Sequence, residues 1–429
     1  MIKHRMLGGI TSLMFLFVMF CGKTTAYAAE VNELERRINA LSEEIDSLKS
    51  GSSDAKQGDR VHLHGYFDFE YNRPTFRSAN TTVPNQFDSG ATKFDMHRFV
   101  IGTEVRLTDW IIFNGEIDFE HSAQAMEFEL GQVDFMIDPM INFRGGIVLM
   151  PIGLLNEYHE PVNYWTVQRP MLQTAVIPTS WSGAGGGIFG GLADGLKYRL
   201  YVVKALQSVR PGNFDSGEGN GNGGSSCAFS SNTGIANDPC QFNNALGASV
   251  AATGRLEYSK LYPGLQLGFS FYTGNSTQKF MPEGGRVSLV EGDVKYRLKW
   301  FDTNASIVNT TIADAAALNN YAIAQGTNNG VIPKQIFGWN IQGGIHLPQL
   351  LNINTRHDVV PFALYESYNL NSKVPAGFQA NPALDIKVRT FGVAYYPIPE
   401  VALKVDFQTF TRGDNSRQEQ VNMGLAFVY

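Results

Sequence analysis

From residue 61 to the end of the chain, apolar and polar residues alternate with a period of two. Successive side chains of a strand point to opposite faces, so this alternation predicts strands with one apolar and one polar face. In "VHLHGYFDFEY" (61–71), Val61, Leu63, Phe67, Phe69 and Tyr71 share one face, and His62, His64, Tyr66, Asp68 and Glu70 the other. "RFVIGTEVRL" and "IIFNGEIDFE" repeat the pattern on either side of a tight turn at Thr108–Asp109. Sixteen such segments are expected, near 61–72, 94–107, 110–121, 126–137, 141–150, 185–192, 196–206, 245–258, 265–274, 286–300, 304–312, 334–347, 358–370, 384–396, 401–411 and 418–429. Upstream the period is different. Val31, Leu34, Ile38, Leu41, Ile45 and Leu48 are spaced three and four apart, the a/d seam of a short coiled coil.

The polar faces carry full charges on one strand after another, as in "DVKYRLKW" (293–300) and "VALKVDFQTF" (401–410). A sandwich core would not tolerate them, whereas a water-filled lumen accommodates them. The apolar faces then meet lipid. Short turns alternate with longer loops, seven against eight, as expected for sixteen antiparallel strands with both termini in the periplasm. The last segment, "QVNMGLAFVY" (420–429), puts Val421, Met423, Leu425, Phe427 and Tyr429 on one face. It is expected to close the barrel against the first strand, with Tyr429 as an aromatic anchor at the periplasmic interface.

Composition fits this reading. Charged residues make up 17% of the 429, aromatics 12%, and glycine contributes 44 positions, a mixture in which lipid-facing and water-facing residues average out. The net charge of −6 gives no reason to expect nucleic acid as a partner. Residues 1–28 have the layout of a secretory signal peptide: Lys3, His4 and Arg5, an apolar run, and "AYA" before the expected cleavage point. The fold class is therefore all-β, a sixteen-stranded antiparallel transmembrane barrel (61–429) preceded by a signal peptide (1–28), a coiled-coil helix (29–50) and a linker (51–60). The expected location is the bacterial outer membrane, with the helix in the periplasm and outer-membrane lipid around the barrel.

The short coiled coil before the barrel, "VDFMIDPMINFRGGIVLMPIG" at 133–153 and "AYYPIPEVALKVDFQTFTRGDNSRQEQVNMGLAFVY" at 394–429 together resemble the phosphate-selective porin O and P family. The resemblance implies a sixteen-stranded barrel, usually trimeric, with its third long loop folded into the pore. It implies selection of phosphate by basic side chains on the wall and on that loop.

The segment "MPIGLLNEYHEPVNYWTVQRPMLQTAVIPTSWSGAGG" is long, aromatic and rich in proline, so it is expected to be ordered. Folded inward over 151–184, it would narrow a lumen that sixteen strands leave wide. Packed outside, it would be an external cap. The candidate pore-lining basic residues are Arg98, Arg106, Arg144, Arg169, Lys197, Arg199, Arg255, Lys295, Arg297, Lys299, Lys387, Arg389 and Lys404. Acidic residues share these faces or the loop, among them Glu116, Asp118, Glu157 and Glu160. A wall of mixed sign sieves by size and sets up a transverse field, whereas an anion trap needs an excess of one sign. The sequence thus predicts a channel for passive diffusion of small hydrophilic solutes or ions, with anions such as phosphate following from the resemblance.

Two other readings use the same barrel: a sheath for a partner protein such as an electron-transfer complex, and an outer-membrane lipid hydrolase. No nucleophile-elbow, P-loop or zinc-protease motif is present, and no catalytic residue or cofactor is assigned. His62 and His64 share a strand face without an evident third ligand, which favours a polar wall over a metal site. Cys227 and Cys240, in the longest Gly/Asn/Ser-rich loop, are expected to form a disulfide in an oxidising compartment.

Overall fold

In the computed structural model, residues 60–78, 91–212, 228–232, 234–236 and 246–429 are described. The coiled-coil segment, the signal peptide and Cys227 and Cys240 lie outside the described residues, and so do the expectations placed on them.

Sixteen antiparallel strands form one closed barrel. They are β1 (Val61–Arg77), β2 (Lys93–Arg106), β3 (Ile111–Glu120), β4 (Ala125–Asp138), β5 (Ile141–Leu149), β6 (Ser182–Ala193), β7 (Leu196–Lys204), β8 (Val250–Tyr258), β9 (Leu265–Asn275), β10 (Arg286–Arg297), β11 (Phe301–Ile312), β12 (Gln335–Ile345), β13 (Asp358–Lys373), β14 (Asp385–Ile398), β15 (Val401–Arg412) and β16 (Arg417–Val428). Every strand pairs with its sequence neighbours, and β1 pairs with β16. All sixteen fall where the alternation put them.

Closure leaves no free sheet edge. Opposite Phe67 stands Phe427, their rings stacked at 5.4 Å on the outer face. Gly65 and Tyr429 exchange both backbone hydrogen bonds, at 3.1 and 3.0 Å, which extends the seam one residue past β16. The Tyr429 ring lies over Gly65, and its hydroxyl donates to the carbonyl of Val100 at 3.3 Å. An aromatic ring thereby covers the bare backbone of a glycine.

The outer faces present exposed apolar residues, among them Leu63, Ile101, Phe128, Leu200, Phe269, Ile341, Phe391 and Leu425. The connections at the β1-start end are short, as expected; that between β12 and β13 includes a helical turn, α2 (Leu347–Leu350). At the opposite end the connections are not uniformly long. Those after β3 and β15 span only residues 121–124 and 413–416. The first of these turns has three consecutive non-glycine residues at positive φ: His121 at 49°, Ser122 at 60° and Ala123 at 65°. The loop between β11 and β12 contains α1 (Ala315–Ala324).

The lumen is not hollow throughout. Loop residues Met150, Ile152, Leu172, Val176, Ile177, Trp181, Leu206, Val209, Phe229, Ile235 and Leu318 are buried in one cluster with the inward side chains Val203, Tyr272, Leu289, Val308, Ile336, Val388 and Phe410. Each such side chain taken from water contributes about 1.5–3 kcal/mol. Part of the barrel thus has a second apolar core inside the wall.

Candidate functional site

The connection between β5 and β6, residues 150–181, crosses the lumen. Its residues bond to β13, β15, β16 and β1, which lie far around the ring from β5 and β6. Glu366 on β13 is fully buried and accepts the backbone N–H groups of Met171 and Leu172 at 3.0 and 2.9 Å. Asp406 on β15 accepts that of Val167 at 2.7 Å. Lys404 on β15 donates to the carbonyls of Pro161 and Thr166 at 2.5 and 2.9 Å and lies over the Tyr164 ring. Gln168 donates to Glu70 of β1 at 3.2 Å and accepts from Gln420 of β16 at 3.3 Å. At the loop's base, Asn156 accepts the Trp181 N–H and donates to the carbonyls of Met150 and Trp181. Buried backbone groups need partners, and these wall side chains supply them for an irregular segment. The inward loop predicted from sequence is what the structure contains.

Most of the basic side chains on the wall are already paired. Arg144 forms a fork with Asp134, two contacts of 2.7 Å, and lies over the Phe189 ring. Arg98 pairs with Asp68 at 2.9 Å and touches the Tyr164 hydroxyl at 3.4 Å. Arg199 bridges Glu157 of the loop at 3.0 Å and Glu257 at 2.9 Å. Arg255 contacts Glu257, Asp293 and Glu291 at 2.9, 2.7 and 3.4 Å. The chain Glu157–Arg199–Glu257–Arg255–Asp293 therefore runs from the loop along β7, β8 and β10. Burial pushes the Glu157 carboxyl up, and the Arg199 guanidinium pulls against it.

Below the loop, toward the start of β1, a cavity of about 580 Å³ opens. It is lined by loop residues Leu154, Leu155, Tyr158, Asn163 and Trp165 and by Lys197, Arg255, Glu257, Lys295, Arg297, Asp302, His346, Arg356 and Asp358. Five Lys and Arg side chains thus face three carboxylates. Those carboxylates are engaged: Glu257 with Arg199 and Arg255, Asp302 with Arg297 at 2.8 Å, and Asp358 with His346 at 2.5 Å. Among the described residues Lys197, Lys295 and Arg356 have no ion-pair partner, so their charge faces the cavity.

The remaining candidates divide. Arg169 donates to Ser180 Oγ at 3.0 Å and to the His159 carbonyl at 3.4 Å, inside the loop. Glu160 accepts from Asn163 at 2.7 Å. Glu116 and Asp118 point inward from β3, and Arg106 sits exposed at the mouth beside Glu104. Three expectations are corrected. Lys387 and Arg389 lie on the outer face of β14, with Phe391, while Ile386, Val388 and Thr390 face inward. Arg389 stacks over Tyr365, an outward residue of β13. The reason is the interior apolar core: Ile386 and Val388 belong to it, so the greasier face of this stretch is the inner one. Lys299 falls in the turn after β10 and is exposed there, past the end of the wall. His62 and His64 stand on β1, with His64 3.9 Å from Glu116.

Several residues that hold the site gave no sequence signal. Gln168, Asn156 and His159 lie in a loop without periodicity, and Glu129 sits where the β3–β4 register shifts.

No protein-family model matches the chain. An uncharacterized protein of Aquifex aeolicus (strain VF5) is 26% identical over 357 residues, 81% of this chain and 75% of that one. Among solved structures, the outer-membrane channel DcaP of Acinetobacter baumannii superposes with a TM-score of 0.53 at 8% identity, over 86% of this chain and 97% of that one. OprB of Pseudomonas putida gives 0.51 at 9% identity, over 88% and 97%. The anion-selective porin from Comamonas acidovorans gives 0.50 at 10% identity, over 86% and 99%. The chain has the sixteen-stranded barrel fold of the outer-membrane porins.

Proposed function

We propose that the protein is an outer-membrane diffusion channel for small hydrophilic solutes, with a modest preference for anions. The observation that supports this best is the loop at 150–181, held across the lumen by Glu366, Lys404 and Asp406 above a polar cavity of about 580 Å³. A loop that constricts a closed barrel and leaves a charged vestibule suits size-limited passage. The excess of basic side chains around that vestibule, with Lys197, Lys295 and Arg356 unpaired, supports the anion preference. Tight selection of phosphate is less well supported, because Arg144, Arg199 and Arg255 spend donors on carboxylates and Arg98 is buried beside Asp68, 2% exposed. The porin of similar fold from Comamonas acidovorans is named for anion selectivity, which agrees with the weaker reading. The sequence resemblance to the phosphate-selective porin O and P family supports a homotrimeric channel.

Planar-bilayer recording of the purified protein tests the proposal. Discrete conductance steps are expected, with a reversal potential in a potassium chloride gradient displaced toward that of chloride. Phosphate should permeate without blocking chloride at micromolar concentration. Absence of any conductance in a correctly folded preparation would remove the channel reading, and a cation-directed reversal potential would remove the anion preference.

A further inference from the structure

We propose that Glu116 of β3, Glu129 of β4 and His159 of the inner loop form a binding site for a divalent first-row transition metal ion. The ion would fasten the loop to the wall. One ligand atom from each residue lies within 4.8 Å of the other two. Glu129 and His159 are 5% and 4% exposed, and the Glu116 side chain is 16% exposed on the lumen side.

The imidazole is oriented as a ligand. Its Nδ1 lies 3.0 Å from the carbonyl of Asn156 and donates to it, which leaves Nε2 facing the Glu129 carboxylate. A hydrogen bond that fixes the tautomer in this way is the usual support of a metal-bound histidine. Nε2 stands 3.1 Å from Glu129 Oε1, an ion-pair contact, and neither atom has a hydrogen-bond partner elsewhere. Two ligands of one ion, each at ~2.0–2.1 Å from it, sit roughly 2.9–3.4 Å apart. The observed separation is that of neighbouring ligands. Glu129 is braced as well, since its other oxygen accepts from the Tyr66 hydroxyl at 3.2 Å.

Arg169 has its Nη atoms on Ser180 Oγ and the His159 carbonyl. Two carboxylates and one imidazole, without sulfur, suit Zn²⁺, Co²⁺, Mn²⁺ or Fe²⁺ over soft Cu⁺. A second group, Asp95, His97 and His121, lies in and beside the β3–β4 turn. There Asp95 Oδ2 and His121 Nδ1 already contact each other at 2.7 Å and His121 is half exposed, so it serves as a comparison.

The test uses the full chain, purified in detergent, stripped with a chelator and titrated with Zn²⁺ or Co²⁺. Heat-modifiable migration checks that each variant is folded. One equivalent of tightly bound metal is expected, with Co²⁺ giving visible d–d absorption. Glu129→Gln and Glu116→Gln should each weaken binding at least tenfold, a loss of the kind seen on disturbing metal sites, whereas Asp95→Asn should leave it unchanged. Glu116→Gln keeps the His159–Glu129 contact, so it separates a metal site from a simple protonated histidine–carboxylate pair. Binding that survives both glutamate changes, is lost in Asp95→Asn, or is absent from the folded wild type would overturn the proposal. Metal content is read without conductance, so the outcome stands apart from the channel reading.

Discussion

The carboxylate of Glu366 on β13 accepts the backbone N–H of Leu172 at 2.9 Å, on a segment that left the wall at β5. With the Met171 N–H on its other oxygen, Glu366 substitutes for the backbone partners that an irregular loop lacks.

Glu366→Gln replaces one acceptor with a donor while keeping the shape. Hydrogen bonds to a charged acceptor contribute about 1.5–3 kcal/mol each, so the loop's anchorage weakens by about that amount. The expected result is larger, noisier single-channel conductance and a lower temperature for conversion of the folded band on gels, with the barrel still assembled.

Lys197→Ala combined with Lys295→Ala removes two of the three vestibule cations that lack an ion pair, the third being Arg356. The reversal potential in a salt gradient should move toward the cation side. The matched control is Lys387→Ala with Arg389→Ala on the outer face, for which selectivity and conductance should stay at wild-type values.

Arg255→Ala leaves Glu257, Glu291 and Asp293 facing one another on the inner wall without their shared cation. Removing one partner of a buried ion pair costs about 3–5 kcal/mol. A marked fall in the denaturant midpoint of unfolding is expected. Arg255→Lys should recover only part of it, because a single ammonium cannot reproduce the guanidinium fork.

Gly65→Val tests the seam. A Cβ at residue 65 would come within 2.6 Å of the Tyr429 hydroxyl and 2.1 Å of the Val100 carbonyl. The ring must leave and the β1–β2 backbone must shift, so folding yield should drop. Tyr429→Ala, which only uncovers the glycine, should cost less. Refolding into detergent, scored by heat-modifiable migration, ranks the two.

The strands were legible because a lipid-facing surface enforces period two over ten residues at a time. Even β6, with six glycines among twelve residues, was found between its turns. Inward and outward could be told apart wherever the inner face is polar, as at Asp68, Glu116 or Lys404. At β14 they could not, because Ile386 and Val388 meet apolar loop residues inside, and both faces then satisfy an apolar rule. The partners of the charges were hidden for another reason. Arg199 finds Glu157 only once a loop of some thirty residues has crossed the lumen, and no local pattern encodes that crossing. His159 and Glu129 are thirty positions apart, on a loop and at a register shift, and neither has a repeating neighbour to mark its direction.

Gln168 touches β1 through Glu70 and β16 through Gln420, so the loop crosses to the seam where the two ends of the sheet meet. This gives the assembly a favoured order. A cylinder that zipped β1 to β16 with residues 150–181 still outside would hold its loop anchors, Glu366, Lys404 and Asp406, behind a finished wall. Admitting the loop later would mean threading bulky residues such as Trp165 and Trp181 past the filled end, or parting the seam again. The geometry thus favours a loop already in place when β1 meets β16, with the crossing segment as the mandrel on which the cylinder is closed.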